Sequence, residues 1–136
     1  MGLKEKFSDK LLRKIEQYEI ISFDLFDTLI KRDIKKPEDI FRLMENAFKD
    51  SLKKIQFAKE RKEAYQRAYE KQGARCTLND IYMEIKGIGE EQKDELKNYE
   101  IELEKLFCSR NESIFALYEY VLLKKKRIVI ITDMYM

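Results

Sequence analysis

Two short apolar runs near opposite ends of the chain constrain its fold more than any other feature. Glu19–Phe23 (EIISF) leads directly into Asp24, and Arg127–Thr132 (RIVIIT) leads into Asp133. Unbroken apolar runs rich in β-branched residues are typical of strands covered on both faces in a parallel α/β sheet. Runs of this length also occur in buried helices, but the helical patterns beside them favour strands. We therefore predict two strands, each followed by an aspartate.

The long region between the two runs has the apolar periodicity of helices. Pro37, followed by two acidic residues, predicts the start of a helix, and Gly73 predicts the end of one. Thr77 and Asp80 have the spacing of a capping box. Because parallel strands must be joined by a right-handed crossover, this helical region is expected to supply the connection.

These elements predict a chain that is mostly α-helical around a parallel α/β core. Residues 1–32 would hold an N-terminal helix and the first core strand, and residues 33–110 would form an inserted helical region. Residues 111–136 would hold a core helix, capped by Asn111, and the second core strand. The 136 residues suffice for one domain with a core, but not for two ordinary domains. Two parallel strands seldom form a stable sheet alone, so open strand edges are expected to favour pairing with a second copy.

The absence of histidine excludes several classes of active site. A Ser–His or Cys–His nucleophile pair and an imidazole-bound zinc site all need that residue. Any catalysis would have to use carboxylates, Lys, Thr, Tyr or a metal held by oxygen atoms. Oxygen ligands favour a hard cation such as Mg²⁺.

Charge and cysteine content limit the partners and the location. The 28 Lys and Arg residues nearly balance the 26 Asp and Glu residues, and a net charge of +2 gives no general attraction to nucleic acid or an anionic membrane. No apolar run approaches the roughly 20 residues of a membrane span, and residues 1–14 lack the apolar centre of a signal peptide. Cys76 and Cys108 have no CxxC spacing. Two reduced thiols in a cytoplasmic protein are predicted.

Two side-chain patterns have two interpretations each. Aromatic residues along the predicted helices would either pack in the core or line a ligand pocket. They are Phe41, Phe48, Phe57, Tyr65 and Tyr69. The basic run at residues 124–127 would either complement the negative end of the preceding helix or bind phosphate. We favour core packing for the aromatic residues and the helix-end role for the basic run.

The segment IISFDLFDTL, residues 20–29, carries most of the chemical information. Asp24 follows the first apolar run, and Thr28 lies four residues later. Ligands of α/β proteins bind beyond the carboxyl ends of parallel strands. An aspartate there can attack phosphorus or an activated carbon and form a covalent intermediate. A magnesium ion beside it would reduce its repulsion from an anionic substrate.

The sequence FDLFDTL, paired with the later TDMY, resembles the first two motifs of the haloacid dehalogenase superfamily of hydrolases. The resemblance implies that Asp24 is the nucleophile, with Thr28 as the hydroxyl residue that follows it. It implies that Thr132 binds the transferred phosphoryl group, and that Asp24 and the backbone carbonyl of Phe26 ligate Mg²⁺. It also implies a helical cap between the motifs. The two motifs also resemble those of a bacterial branch of uncharacterised members with an FDLFDTL motif, some of which are associated with surface-polysaccharide glycosyltransferases.

The sequence departs from the family pattern in two ways. Phosphatases of the family usually have an aspartate as general acid and base where this chain has Phe26, and phenylalanine cannot transfer a proton. Asp27 would replace that acid and base, or would only stabilise the turn through backbone N–H groups. The family's third and fourth motifs, a lysine and acidic metal ligands, would follow Thr132, yet only four residues do. Asp24, with Asp27 and Asp133, would make a magnesium site with few charges.

The sequence thus predicts a cytoplasmic, magnesium-dependent hydrolase that acts on a phosphorylated small molecule. This chain would hold its N-terminal portion and would be inactive in isolation. The alternative is a catalytically inactive relative, or a helical module that binds a partner protein. No nucleic-acid or membrane partner is expected, and self-association through open strand edges is.

Overall fold

The computed structural model describes residues 2–133; Met1 and residues 134–136, which include the Met-Tyr of the second motif, lie outside it. The described chain forms two compact units. One contains residues 2–32 and Cys108–Thr132, and the other contains Asp33–Phe107 with Asp133. We call them the strand unit and the helical unit.

Helices outnumber strands among the described residues, and the two strand pairs are both in the strand unit. In chain order the elements are α1 Leu3–Lys6, α2 Asp9–Glu16, β1 Ile20–Asp24, β2 Ile30–Arg32, α3 Asp39–Ala47, α4 Phe57–Gln72, a 3₁₀ turn Gly73–Arg75, α5 Leu78–Glu84, α6 Glu90–Phe107, β3 Cys108–Arg110, α7 Glu112–Leu123 and β4 Arg127–Ile131. The chain is therefore mostly helical, with a small parallel sheet, which is compatible with a mixed α/β fold.

Both apolar runs form strands, and they are neighbours. β1 and β4 pair in parallel, with Ile20 opposite Arg127 and Asp24 opposite Ile131. Inward-facing residues of β1 pack with α2 and α7 in a small core made of Leu12, Ile15, Phe23, Leu29, Leu117 and Val121. The predicted pair of strands is confirmed, and Asp24 lies at the carboxyl end of β1.

The prediction that both faces of this sheet are covered is wrong for the described residues. Phe23 is buried, whereas Ile20, Val129 and Ile131 are 51%, 40% and 59% exposed. Side chains alternate between the two faces of a strand, and the core packs on only one of them. The two runs therefore contain more apolar side chains than the strand unit buries. Pairing of the open edges with a second copy stays a prediction.

A second strand pair lies in the strand unit, where the chain leaves it and where it re-enters it, and was not predicted. β2 and β3 pair antiparallel, with Ile30 opposite Arg110 and Arg32 opposite Cys108. These strands have only three residues each, too few to show a periodicity in the sequence. Because residues 108–110 belong to this pair, the boundary of the helical unit lies after Phe107 rather than after residue 110.

The helical unit has the larger core, formed by one side of α3–α6. Its buried residues are Ile40, Phe41, Met44, Leu52, Phe57, Ala64, Ala68, Cys76, Ile81, Tyr82, Ile85 and Leu96. Phe41 and Phe57 confirm the core interpretation of the aromatic pattern, and Phe48 packs against this core. Tyr65 and Tyr69 instead lie largely at the surface. No helix within residues 2–133 has both the length and the apolar content to cross a bilayer.

Helix ends in this unit follow the local sequence signals. The Thr77 hydroxyl accepts the Asp80 backbone N–H at 3.3 Å, and the Asp80 carboxylate accepts the Thr77 N–H at 2.8 Å, so the predicted capping box is confirmed. A hydrogen bond of 2.7 Å from the Thr77 hydroxyl to the Asp80 carboxylate, together with the one from the Thr77 N–H, holds the pKa of Asp80 below its usual value. Gly73 ends α4, and its N–H donates to the Tyr69 carbonyl.

Gly87 is a position where an added methyl group should be costly. Its φ is +86°, and a β-carbon there would lie 2.9 Å from the Ile55 side chain. We expect Gly87→Ala to lower the free energy of unfolding by about 2–3 kcal/mol, from left-handed strain plus steric overlap. Chemical denaturation would measure it. Gly89→Ala is the matched control, because nothing lies within 4 Å of its β-carbon. Equal effects of the two substitutions would contradict the prediction.

Candidate functional site

Asp24 and Thr28 are brought into direct contact at the end of β1. The Thr28 Oγ1 hydroxyl donates a hydrogen bond of 3.1 Å to Oδ2 of Asp24. Asp24 is exposed, and Thr28 is half-buried. The hydrogen bond fixes one carboxylate oxygen and leaves Oδ1 outside this contact.

The loop between these two residues is a tight turn closed by its own backbone. The Asp27 N–H donates to the Ile30 carbonyl at 2.7 Å, and the Ile30 N–H donates to the Leu25 carbonyl at 2.9 Å. Asp27 is exposed and has a φ of +61°. Aspartate tolerates this left-handed conformation better than most residues. Both interpretations of Asp27, acid–base group and turn residue, are consistent with this position.

Phe26 has a packing role within the strand unit. The Arg32 guanidinium carbon lies 4.2 Å from the centre of the Phe26 ring, a cation–π contact. Phe26 also forms a single bridge with Ile30. The Phe26 side chain thus helps to join the turn to β2.

The strand register positions Thr132 relative to Asp24. Asp24 is opposite Ile131 in the parallel pair, and Thr132 is the next residue of the chain. Asp24, Thr28 and Thr132 therefore belong to the same edge of the sheet, where ligands of α/β proteins bind. Asp133 is exposed and falls with the residues of the other unit.

The residues of this edge offer oxygen atoms that suit a hard cation, but few carboxylates. Within residues 2–133, no group of three or more Cys, Asp or Glu side chains is placed to hold a metal ion. The predicted ligands, the Asp24 carboxylate and the Phe26 carbonyl, are both of the type that Mg²⁺ binds. Mg²⁺ usually keeps several waters and one or two carboxylates, so the donor chemistry fits while the charge is low.

Asn111 contacts this site, which the sequence did not predict. Its Nδ2 donates to the Thr28 carbonyl at 2.8 Å, and its backbone N–H donates to the Leu29 carbonyl at 2.8 Å. Asn111 does occupy the N-cap position of α7, but its side chain makes no capping hydrogen bond. The predicted capping role is therefore wrong. The contact spans 83 positions of the chain, so no local pattern could indicate it.

The same unit contains an apolar groove of about 460 Å³. Its lining includes Leu25, Leu29, Phe115, Tyr118 and Ile130. Arg110 is also at the groove, but its guanidinium group is bound by both oxygens of Glu112 and lies 4.1 Å from the Phe115 ring centre. The groove thus supplies apolar surface rather than free positive charge for a phosphate.

The basic run at the end of α7 binds a carboxylate of the same unit. Lys124 lies 3.1 Å from the Glu16 carboxylate, and the Lys126 ammonium donates to the Glu16 carbonyl at 2.8 Å. The hydrogen bond from Lys124, together with one from Tyr120, holds the pKa of Glu16 below its usual value. The contacts of these lysines with Glu16 therefore link the end of α7 to the end of α2.

The helical unit contains a buried polar cluster that the sequence analysis also missed. The Arg61 Nε and Nη2 groups donate to the two Glu100 carboxylate oxygens at 3.0 and 2.7 Å. The Tyr82 hydroxyl donates to Oε2 of Glu100 at 2.5 Å. Arg61 is 1% exposed and Glu100 is 2% exposed, although both lie in helices that are rich in charged residues.

The polar groups of this cluster pair with one another inside the core. The Arg61 guanidinium carbon also lies 4.5 Å from the Phe41 ring centre. Burial, followed by the negative charge and hydrogen bond of Glu100, raises the pKa of Tyr82 above its usual range. Each carboxylate oxygen of Glu100 already accepts a hydrogen bond. We assign the cluster to the stability of the helical unit.

Comparison with known proteins adds no family to these observations. No protein-family model matches the chain. No curated protein matches it at a significant level either. The function must therefore be inferred from the residues at the end of β1.

Proposed function

We propose that this protein is a magnesium-dependent hydrolase of the haloacid dehalogenase type, acting on a phosphorylated small molecule in the cytoplasm. The observation that carries the proposal is the contact of Asp24 with Thr28 at the carboxyl end of β1, beside the strand that leads into Thr132. The motif sequences and the helical region between them add support through their resemblance to that superfamily. The α/β lineage is part of the same proposal.

Asp24 would act as the nucleophile. Its Oδ1 would attack phosphorus, and the bond from phosphorus to the leaving oxygen would break with its electron pair on that oxygen, which would take a proton from Asp27 or from water; the resulting aspartyl phosphate would later be hydrolysed. The hydroxyl of Thr28 orients the carboxylate through Oδ2. Thr132 would donate a hydrogen bond to a transferred phosphoryl oxygen, and Thr28 would do so once its one hydroxyl hydrogen turns from Asp24 to that group. Mg²⁺, held by Asp24 and the Phe26 carbonyl, would lower the repulsion between the carboxylate and the anionic substrate. The helical unit would select the substrate, as caps do in that superfamily.

A second candidate is a catalytically inactive relative that binds a partner protein through the helical unit. The contact between Phe26 and Arg32 favours it, since a packing residue occupies the position of the usual acid. Such a protein would keep the strand scaffold without turnover. The two candidates differ in whether Asp24 binds a phosphoryl group.

Binding of beryllofluoride, which mimics a phosphoryl group on aspartate, tests the proposal. We expect ¹⁹F NMR to show a bound species with the native chain only when Mg²⁺ is present. Asp24→Asn should weaken this binding at least tenfold, because it removes the attacking oxygen and a metal ligand. Asp50→Asn is the matched control, since Asp50 is an exposed aspartate whose only described ion pair is with Lys53. If the native chain binds no beryllofluoride at millimolar Mg²⁺, the inactive relative is favoured instead.

A further inference from the structure

Asn111 occupies a helix N-cap position without using its side chain as a cap. Its φ and ψ of −79° and 95° are those of an N-cap residue, and α7 begins at the next residue. Asparagine at this position usually accepts a hydrogen bond from the backbone of the first helical turn. Here the side chain is directed at a different part of the chain, the carbonyl of Thr28. The Asn111 side chain therefore makes a distant contact in place of a capping hydrogen bond, so its effect is not confined to α7.

The distant partner requires a hydrogen-bond donor. A backbone carbonyl only accepts, so the amide must present its NH₂ group to Thr28. Aspartate and serine are equally good N-cap residues. An ionised aspartate has no hydrogen to donate, and the serine hydroxyl is shorter than the amide. Among the strong N-cap residues, asparagine is therefore the one suited to this contact.

Asn111 holds two consecutive residues of the site loop. Its side chain binds the carbonyl of Thr28, and its backbone N–H binds the carbonyl of Leu29, both at 2.8 Å. Thr28 is thus fixed from two sides, by Asn111 at its carbonyl and by Asp24 at its hydroxyl. A reactive pair gains most from such support, because small misplacements of an orienting group reduce its effect strongly.

We propose that Asn111 is a positioning residue that holds Thr28 against Asp24, and that it thereby prepares the Asp24 site for a phosphoryl ligand. The preparation of the site for a phosphoryl ligand rests on the proposed function, whereas the positioning of Thr28 does not. Asn111 directly follows β3, where the chain returns from the helical unit to the strand unit. The site loop is therefore anchored to the returning strand as well as to β1.

The test removes the side-chain donor and keeps a residue type that suits the N-cap position. Asn111→Asp in the full chain has nearly the same shape and a strong N-cap side chain. We expect the amide of Ile30, which closes the loop, to exchange with solvent at least tenfold faster, and ¹⁵N relaxation to show increased motion at Thr28. Magnesium-dependent affinity for beryllofluoride should fall about five- to tenfold. Asn111→Ser should behave in the same way, and it provides a second variant if Asn111→Asp does not fold.

Ser8→Ala is the control for a general loss of stability in the strand unit. The Ser8 hydroxyl accepts the Leu11 N–H at 3.3 Å and caps α2 in the same unit. Ser8→Ala should lower the free energy of unfolding of the unit, but the Ile30 amide should exchange no faster than this loss of global stability accounts for. Unchanged exchange and relaxation in both Asn111 variants would overturn the proposal. If the native chain binds no beryllofluoride, the proposed function fails, while the exchange and relaxation data still decide whether Asn111 positions Thr28.

Discussion

Glu100→Ala is expected to lower the free energy of unfolding of the helical unit by about 3–5 kcal/mol. The substitution leaves the Arg61 guanidinium group buried, because Arg61 is 1% exposed, and removes both of its hydrogen bonds to the carboxylate. It also removes the acceptor of the Tyr82 hydroxyl. A buried charge without its partner is much more costly than an ion pair is favourable. Urea unfolding followed by circular dichroism, with amide exchange assigned to Asp33–Phe107, would measure the loss.

Two comparisons separate this effect from the loss of a glutamate in general. Glu102 forms an exposed pair with Lys105 on the same helix, at 2.9 Å, so Glu102→Ala should change stability by less than about 0.5 kcal/mol. The triple variant Arg61→Met, Glu100→Leu and Tyr82→Phe should recover most of the loss, because apolar side chains of similar volume can replace a buried pair and Phe leaves no hydroxyl without an acceptor. A loss below 1 kcal/mol for Glu100→Ala would show that the pair is hydrated in solution.

Phe23→Ala should lower the free energy of unfolding of the strand unit by about 3–5 kcal/mol. Phe23 is 6% exposed, and its ring packs edge-on against Tyr118 with 5.6 Å between ring centres. Phe23 is the only aromatic residue among the described buried residues of this small core, so its aliphatic neighbours can fill little of the cavity that it would leave. Amide exchange of β1 and α7 would report the loss for this unit alone.

Ile131→Ala is the matched control for the same sheet. Ile131 is an apolar strand residue too, but it is 59% exposed, and its partner in the register is Asp24. Its truncation should cost less than about 1 kcal/mol. Comparable losses for the two variants would mean that the outer face of the sheet is buried in solution, by a second copy or by another partner. The concentration dependence of the unfolding midpoint would then identify self-association.

The sequence by itself determined most of the local elements and indicated the candidate site residues. The apolar runs predicted β1 and β4, because short runs rich in β-branched residues and bounded by charged residues are typical of strands. The capping box at Thr77 and the helix end at Gly73 are local signals, and both agree with the structure. The motif around Asp24 identified the candidate nucleophile and its hydroxyl partner, since four positions are close enough for a turn to bring them together.

The tertiary structure decided which of these side chains are buried and which distant residues they contact. Val129 and Ile131 have the composition of core residues, yet they lie on the face of the sheet that neither α2 nor α7 covers. Arg61 and Glu100 look like surface charges of two polar helices, and only helix packing places them together in the core. Asn111 has the sequence signature of a helix cap but supports the Asp24 loop instead. A sequence specifies each residue's chemistry and its near neighbours, whereas contacts across 39 or 83 positions depend on how the elements pack.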